Sequence, residues 1–184
     1  MTTAAGVAAL LAWAGLEFRF RRPGAASSLE RGAADRGSTA LLIGSYAVAL
    51  VLPPILAISG IGGVGRWAWL GVALAAGGLA LRAWAMATLG ASYTRTLRAT
   101  AGQSLVTHGP YRVLRHPGYA ASCLVWVGAT LAFGWWPAAV IVGALLILAY
   151  SWRIRAEEAL LETTFGEAYR DYAARTWRLV PGVY

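Results

Sequence analysis

The chain alternates long apolar blocks with short polar segments, and the apolar blocks predict its secondary structure. They cover residues 2–18, 39–59, 67–90, 118–134 and 135–152. A helix needs about 20 apolar residues to cross a membrane, with a range of about 17–25, and each block falls in that range. Apolar residues run continuously within each block, without the period of a half-buried strand or a surface helix. This pattern predicts an all-α integral membrane protein with five transmembrane helices.

The polar segments carry the charge and predict the orientation of the chain in the membrane. Of the 184 residues, 58% are hydrophobic and 13% are charged, with a formal net charge of +8. Such an excess would suit nucleic acid, but the basic residues are all arginine and nearly all lie between or beyond the apolar blocks. Arginine-rich loops mark the cytoplasmic side. We therefore expect an outside N-terminus, a cytoplasmic C-terminal helical segment and no nucleic-acid partner.

The third apolar block contains residues that would shape its packing. Gly71, Gly77 and Gly78 would let a neighbouring helix approach closely, either within the chain or from a second copy. Arg82 lies in the same block, ~12 Å below its cytoplasmic end at the rise of an α-helix. Its guanidinium either snorkels toward the headgroups or faces the bundle interior and helps to hold an anion. The sequence leaves both alternatives open.

The first dense polar cluster covers residues 103–119, QSLVTHGPYRVLRHPGY. Pro117 suits the first position of the fourth helix. This puts His116 at the mouth of that helix, where backbone N–H groups favour an anion such as a carboxylate. Tyr111 and Tyr119 add phenol donors. The cluster predicts either a ligand site or a belt of arginine and tyrosine that anchors the protein to lipid headgroups.

The second cluster covers residues 152–172, WRIRAEEALLETTFGEAYRDY. Arg153 and Glu157 stand four residues apart, so they share one helical face. Glu158 is rotated by ~100° from Glu157, and we expect it to face water or Arg155. An apolar stripe at helical spacing predicts that this helix packs on the membrane domain: Leu161, Phe165 and Tyr169. Taken alone, the cluster is more typical of a surface ion pair on an ordinary amphipathic tail than of a ligand site.

The two clusters together resemble the isoprenylcysteine carboxyl methyltransferase family. The segment LVTHGPYRVLRHPGY is followed, after a two-helix hairpin, by RIRAEEALLETTFGEAYRDY and then RLVP. The resemblance covers about residues 80–181 and implies a membrane-embedded methyltransferase that uses S-adenosylmethionine without a soluble Rossmann fold. Residues 1–66 then form two spans without a recognisable motif, and residues 67–184 form a catalytic core with three spans, a cofactor loop and a C-terminal helix.

The resemblance also implies roles for individual residues. Arg153 corresponds to the position implicated in the acceptor, and Glu157 to the family's acidic cofactor contact. One position departs from the family, since Gln103 stands where relatives often have histidine. The remaining cofactor-contacting positions fall on Gln103, Ser104, Leu105, Val106, Tyr111, His116, Pro117, Gly118 and Tyr119.

The chemistry of methyl transfer favours one class of acceptor. A carboxylate has a pKa near 4 and needs no general base, whereas a phenol or an ammonium group near 10 would need one. We therefore expect a carboxylate of a prenylcysteine-like or related lipid that enters from the bilayer. A lipid-like phenol, amine or thiol, a non-enzymatic membrane scaffold and a nicotinamide-dependent reductase remain alternatives. The single Cys123 lies within an apolar block, so we expect no metal site, and the oligomeric state stays open.

Overall fold

The computed structural model describes residues 1–20, 38–60, 65, 67–90 and 105–184. These residues confirm the prediction of an all-helical chain, and their only β-type pairing is an isolated bridge between Leu114 and Trp177. A short 3-10 helix precedes α4. In chain order the elements are α1 (Thr2–Arg19), α2 (Ser38–Ile58), α3 (Trp67–Leu89), the 3-10 helix (Gly109–Arg112), α4 (Pro117–Ala132), α5 (Trp136–Phe165) and α6 (Glu167–Ala173).

Three of the helices in the described part of the chain are long and apolar enough to cross a membrane. These are α2 over Thr39–Leu56, α3 over its whole length and α5. Helix α4 has 16 residues, or ~24 Å at 1.5 Å per residue, which is shorter than the ~30 Å hydrocarbon core. The predicted count of five spans therefore stays a prediction. The fifth predicted span and the helix after it are one continuous element, because α5 runs unbroken for 30 residues.

Helices α3 and α4 pack closely through glycines, as the sequence predicts for two of three positions. A Cβ added to Gly71 would lie 2.5 Å from the backbone nitrogen of Ala132, and one added to Gly78 would lie 2.8 Å from the carbonyl oxygen of Ala121. Gly77 has nothing within 4 Å of such a Cβ, so it takes no part in this contact, and its packing against a second copy stays a prediction. Gly77 is rotated ~100° from Gly78 on the helix and faces away from α4.

Arg82 faces the bundle interior, where it binds the carboxylate of Glu17 in the same chain. Arg82 is 8% exposed, and both Nε and Nη2 donate to Oε1 of Glu17 on α1, with the Nε–Oε1 distance at 2.9 Å. Its Nη1 also donates to the carbonyl oxygen of Gly118 at 2.6 Å. This buried ion pair therefore ties α1 and α3 to the first turn of α4.

Aromatic side chains fill the space between α1, α2, α4 and α5. The ring of Tyr46 stacks on Trp126, with 4.6 Å between centroids, and its hydroxyl contacts the hydroxyl of Tyr150. Trp13 packs edge-on against both Tyr46 and Trp126. Tyr150 in turn stacks on Tyr119 at 4.7 Å. Trp13, Tyr46, Trp126 and Tyr150 thus form an aromatic layer that packs against Tyr119 in the first turn of α4.

The C-terminal segment folds back onto the segment that leads into α4. The amide of Arg115 donates to the carbonyl of Trp177 at 2.7 Å, and the amide of His116 donates to the carbonyl of Arg178 at 3.1 Å. The hydroxyl of Tyr172 on α6 donates to the carbonyl of Tyr111 at 2.8 Å. These bonds place the tail beside the start of α4.

The predicted apolar stripe does not lie on one helix. Gly166 separates α5 from α6 and has a φ of 56°, a left-handed value that glycine adopts without steric cost. Leu161 and Phe165 end up partly buried on α5, whereas Tyr169 is buried on α6. The chain turns at Gly166, so α6 contacts the loop before α4 instead of extending α5.

Candidate functional site

The first turn of α4 has the geometry that its sequence predicts. Pro117 is the first residue of the helix and His116 is its N-cap. Proline suits this position because its φ is already helical and the missing N–H would have no partner within the helix. The His116 side chain makes no capping hydrogen bond and is 4% exposed. Its imidazole is therefore held inside the protein and directed toward α5.

The imidazole of His116 brings the two polar clusters together. Its Nδ1 lies 3.7 Å from Oε2 of Glu157 on α5, although the two residues are far apart in sequence. The ring also stacks on Tyr119, with 5.6 Å between centroids. The loop before α4 and the C-terminal half of α5 thus form one polar site.

Tyr119 connects the two residues of α5 for which the resemblance implies separate roles. Its hydroxyl donates to Oε2 of Glu157 at 2.8 Å and accepts from Nε of Arg153 at 3.0 Å. Arg153 and Glu157 share one face of α5, as their spacing predicts. Arg153 is 6% exposed, and its Nη1 donates to Oγ1 of Thr39 on α2 at 3.4 Å. The guanidinium therefore lies between α2 and α4.

The expectation that Glu158 faces water or Arg155 was wrong. Its Oε1 accepts from Nε of Arg115 at 2.8 Å, and its Oε2 accepts from Nε of Arg178 at the same distance. Its Oε1 also lies 3.4 Å from Nε2 of His116. The returning tail places Arg178 over this face of α5, whereas Arg155 is exposed. Glu158 does leave α5 in a different direction from Glu157, as predicted, but that side of the helix faces protein and not water.

The two neighbouring glutamates differ in what their carboxylates can still do. The side chain of Glu158 is 13% exposed and that of Glu157 is 30% exposed. Glu158 neutralises cations of the chain, and its hydrogen bond raises the pKa of Arg178, so that guanidinium stays charged. Glu157 instead contacts a neutral phenol and an imidazole. Its carboxylate is the one that suits a ligand with hydrogen-bond donors.

The other residues implied by the resemblance lie around this centre or outside the described residues. Gln103 and Ser104 are outside them, and Leu105 and Val106 are partly buried just before the 3-10 helix. Tyr111 is buried, and its carbonyl oxygen accepts the Tyr172 hydroxyl. The carbonyl of Gly118 accepts from Arg82. The ligand roles of all these residues stay predictions.

Residues of the first two helices also belong to the site, and sequence reasoning missed them. Thr39 contacts Arg153, and Glu17 holds Arg82 beneath the first turn of α4. A signal existed for Glu17, which is the only acidic residue of the first apolar block. An acid near the end of one span and an arginine within another predict a pair, because unpaired charge within a membrane is costly. No comparable signal marked Thr39.

Comparisons with known proteins agree with the motifs. The model of the family described as phospholipid methyltransferase matches residues 67–168. A probable protein-S-isoprenylcysteine O-methyltransferase of Oryza sativa subsp. indica is 32% identical over 61% of this chain and 60% of the relative. Protein-S-isoprenylcysteine O-methyltransferase B of Arabidopsis thaliana is 33% identical over 79% of this chain and 78% of the relative.

A solved structure has the same fold. The structure of the eukaryotic intramembrane Ras methyltransferase (isoprenylcysteine carboxyl methyltransferase) superposes with a TM-score of 0.58 at 22% identity, over 79% of this chain and 52% of that one. The matched part of the chain thus spans about three fifths of the rice relative and about half of the solved structure.

Proposed function

The chain belongs to the isoprenylcysteine carboxyl methyltransferase family, and from this we propose that it is a multi-pass membrane methyltransferase. It transfers a methyl group from S-adenosylmethionine to a lipid-like acceptor that carries a carboxylate, in the class of a prenylcysteine or a related lipid. The observation that carries this proposal is the contact chain from His116 through Glu157 and Tyr119 to Arg153. It joins the residues that the family motif assigns to cofactor and acceptor.

The side chains around α4 fit the donor and acceptor groups of S-adenosylmethionine. That cofactor would supply an electrophilic methyl group on a sulfonium centre. Glu157, with its partly exposed carboxylate, would accept hydrogen bonds from ribose hydroxyls or from an ammonium group. His116 and the N-terminus of the 16-residue helix α4 would favour the cofactor's carboxylate. The segment from Gln103 to Val106 and Tyr111 would complete this half of the site.

Arg153 would hold the acceptor. A buried guanidinium suits a carboxylate because it can donate two parallel hydrogen bonds. The Tyr119 hydroxyl bonds both Arg153 and Glu157, so the two halves of the site are neighbours. Transfer to a carboxylate requires alignment and the exclusion of water more than proton transfer. The buried setting of Arg153 and the aromatic layer beneath Tyr119 are consistent with both requirements.

The positions of the polar contacts support a cytoplasmic site. Glu17 is near the end of α1, Thr39 is near the start of α2, and His116 is the N-cap residue of α4. By loop charge, each of these helix ends is cytoplasmic, with the N-terminus outside. The names of the rice and Arabidopsis relatives state an action on protein-S-isoprenylcysteine, which supports a prenylated or similarly lipophilic acceptor that enters from the bilayer.

The division of roles can be tested with single variants in detergent. We expect His116→Ala and Glu157→Gln to weaken binding of S-adenosylmethionine by about 10- to 100-fold, the size of one charged hydrogen bond. Arg153→Ala should leave cofactor affinity within about twofold but lower kcat/KM for a carboxylate acceptor by at least about 30-fold, since one partner of a desolvated charge pair is lost. Calorimetry and transfer of a labelled methyl group measure these two effects.

Glu162→Gln is the matched control, because Glu162 lies on the same helix with a 54% exposed side chain. It should change neither measurement. Equal loss of cofactor affinity in all three site variants would refute the division of roles. Folded protein that binds no S-adenosylmethionine would leave the scaffold alternative, and transfer only to a phenol, amine or thiol would refute the carboxylate acceptor.

A further inference from the structure

A hydroxyl from the part of the chain without a sequence motif reaches the acceptor side of the site. Thr39 lies in the first turn of α2 and is 2% exposed. Its Oγ1 accepts from Nη1 of Arg153 at 3.4 Å. That distance is at the long end for a hydrogen bond, and such bonds in empty active sites often tighten when the site is filled.

Two nitrogens of Arg153 donate to side chains on two different helices. Its Nε donates to Tyr119 on α4, and its Nη1 donates to Thr39 on α2. The guanidinium is planar, with its N–H groups in fixed directions. Two bonds from different nitrogens therefore determine both where the group lies and how its plane is turned.

Another buried hydroxyl on α2, that of Ser45, shows what a purely local role would look like. Ser45 is equally buried, at 2% exposure, but its Oγ donates to the carbonyl of Leu41 one turn earlier on the same helix, at 2.8 Å. Such a back-bond satisfies the hydroxyl within its own helix. The Thr39 hydroxyl makes a contact across 114 positions of sequence, to a cation that the family motif assigns to the acceptor.

We infer that Thr39 is a positioning residue for the acceptor, which orients the guanidinium of Arg153 to receive a carboxylate. This inference rests on the proposed function. A carboxylate gains from two parallel hydrogen bonds only when it is coplanar with the guanidinium, so the turn of that plane controls affinity. An acceptor without a carboxylate has no such requirement. The part of the site that would bind the acceptor therefore includes a residue of α2, which lies outside residues 67–184, where the motifs are found.

The test compares an S-prenylcysteine acid with its methyl ester as ligands in detergent, by calorimetry, and uses the acid in methyl-transfer kinetics. The wild-type protein should bind the acid more tightly than the ester. Thr39→Val, which keeps the shape but removes the hydroxyl, should raise KM for the acid by about tenfold. It should also remove most of the difference between acid and ester, with S-adenosylmethionine affinity unchanged. Thr39→Ser should restore both properties to within about threefold.

Ser45→Ala is the matched control, because it removes a buried hydroxyl from the same helix without touching Arg153, and it should behave as wild type. The inference is overturned if Thr39→Val discriminates acid from ester like the wild type, or if the wild type does not discriminate at all. It is also overturned if Thr39→Val changes cofactor and acid affinity equally. Discrimination that depends on Thr39, without any methyl transfer, would support the inference and refute the proposed function.

Discussion

At the residue scale, two adjacent glutamates of the same charge have different surroundings. Glu158 is enclosed by Arg115, Arg178 and His116, whereas Glu157 faces Tyr119 and retains more solvent contact. A rotation of ~100° between successive helical residues accounts for this difference. The one carboxylate is used to join the tail to the loop before α4, and the other remains suited to a ligand.

Replacing Glu158 should therefore cost stability. We expect Glu158→Gln to lower the free energy of unfolding by about 2–4 kcal/mol, because Arg115 would keep its buried charge without a carboxylate. The side chain of Arg115 is only 10% exposed. Glu162→Gln should cost about 0–1 kcal/mol, since its pair with Arg170 is exposed on both sides. Thermal unfolding of both variants in detergent measures the difference, and equal losses would contradict this account.

At the scale of elements, the site depends on how closely α3 approaches α4. The backbone contacts at Gly71 and Gly78 leave no room for side chains, and Arg82 on the same helix binds the first turn of α4. Because α4 carries His116 and Tyr119 at this turn, the helix contact transmits its geometry to the site. A small-residue surface lets membrane helices gain van der Waals contact over their backbones.

A methyl group added to this contact should lower the stability of the protein. We expect Gly71→Ala to destabilise by about 1–3 kcal/mol, because its Cβ would lie 2.5 Å from a backbone nitrogen and force the helices apart. Gly77→Ala, on the same helix, has open space and should be neutral or stabilise by up to about 1 kcal/mol. Unfolding in detergent tests the pair, and a Gly77→Ala variant as unstable as Gly71→Ala would contradict it.

At the scale of the whole molecule, the C-terminal segment completes the site by folding back. Tyr172 donates its hydroxyl to the carbonyl of Tyr111, and burial raises the pKa of Tyr172 to about 12. The ordinary value is near 10, so the folded state favours the neutral phenol. Its contribution is complete below about pH 10 and is lost as pH rises through about 12.

The thermal midpoint should therefore fall between pH 10 and pH 12 in the wild-type protein. Tyr172→Phe should lower the midpoint at pH 7, because it leaves the Tyr111 carbonyl without its buried donor at a cost of about 1–3 kcal/mol. It should also weaken the alkaline decline, since no hydroxyl remains to ionise at this position. An unchanged pH profile in Tyr172→Phe would show that other groups cause the decline.

Much of this protein follows from the order of its residues. Continuous apolar blocks predict helices because a lipid-buried backbone must satisfy its own hydrogen bonds, and Pro117 predicts where α4 begins because proline fits a helix start. The spacing of Arg153 and Glu157 predicts a shared face. The resemblance that these clusters carry is confirmed by the Arabidopsis relative, which is 33% identical over 79% of this chain.

Only the tertiary structure decided what lies opposite each face. Local spacing determines the direction in which a side chain leaves its helix, but burial and pairing depend on segments distant in sequence. The tail that encloses Glu158 and the threonine that reaches Arg153 both come from such segments. Their contacts are set by how the helices pack together, which no local pattern encodes.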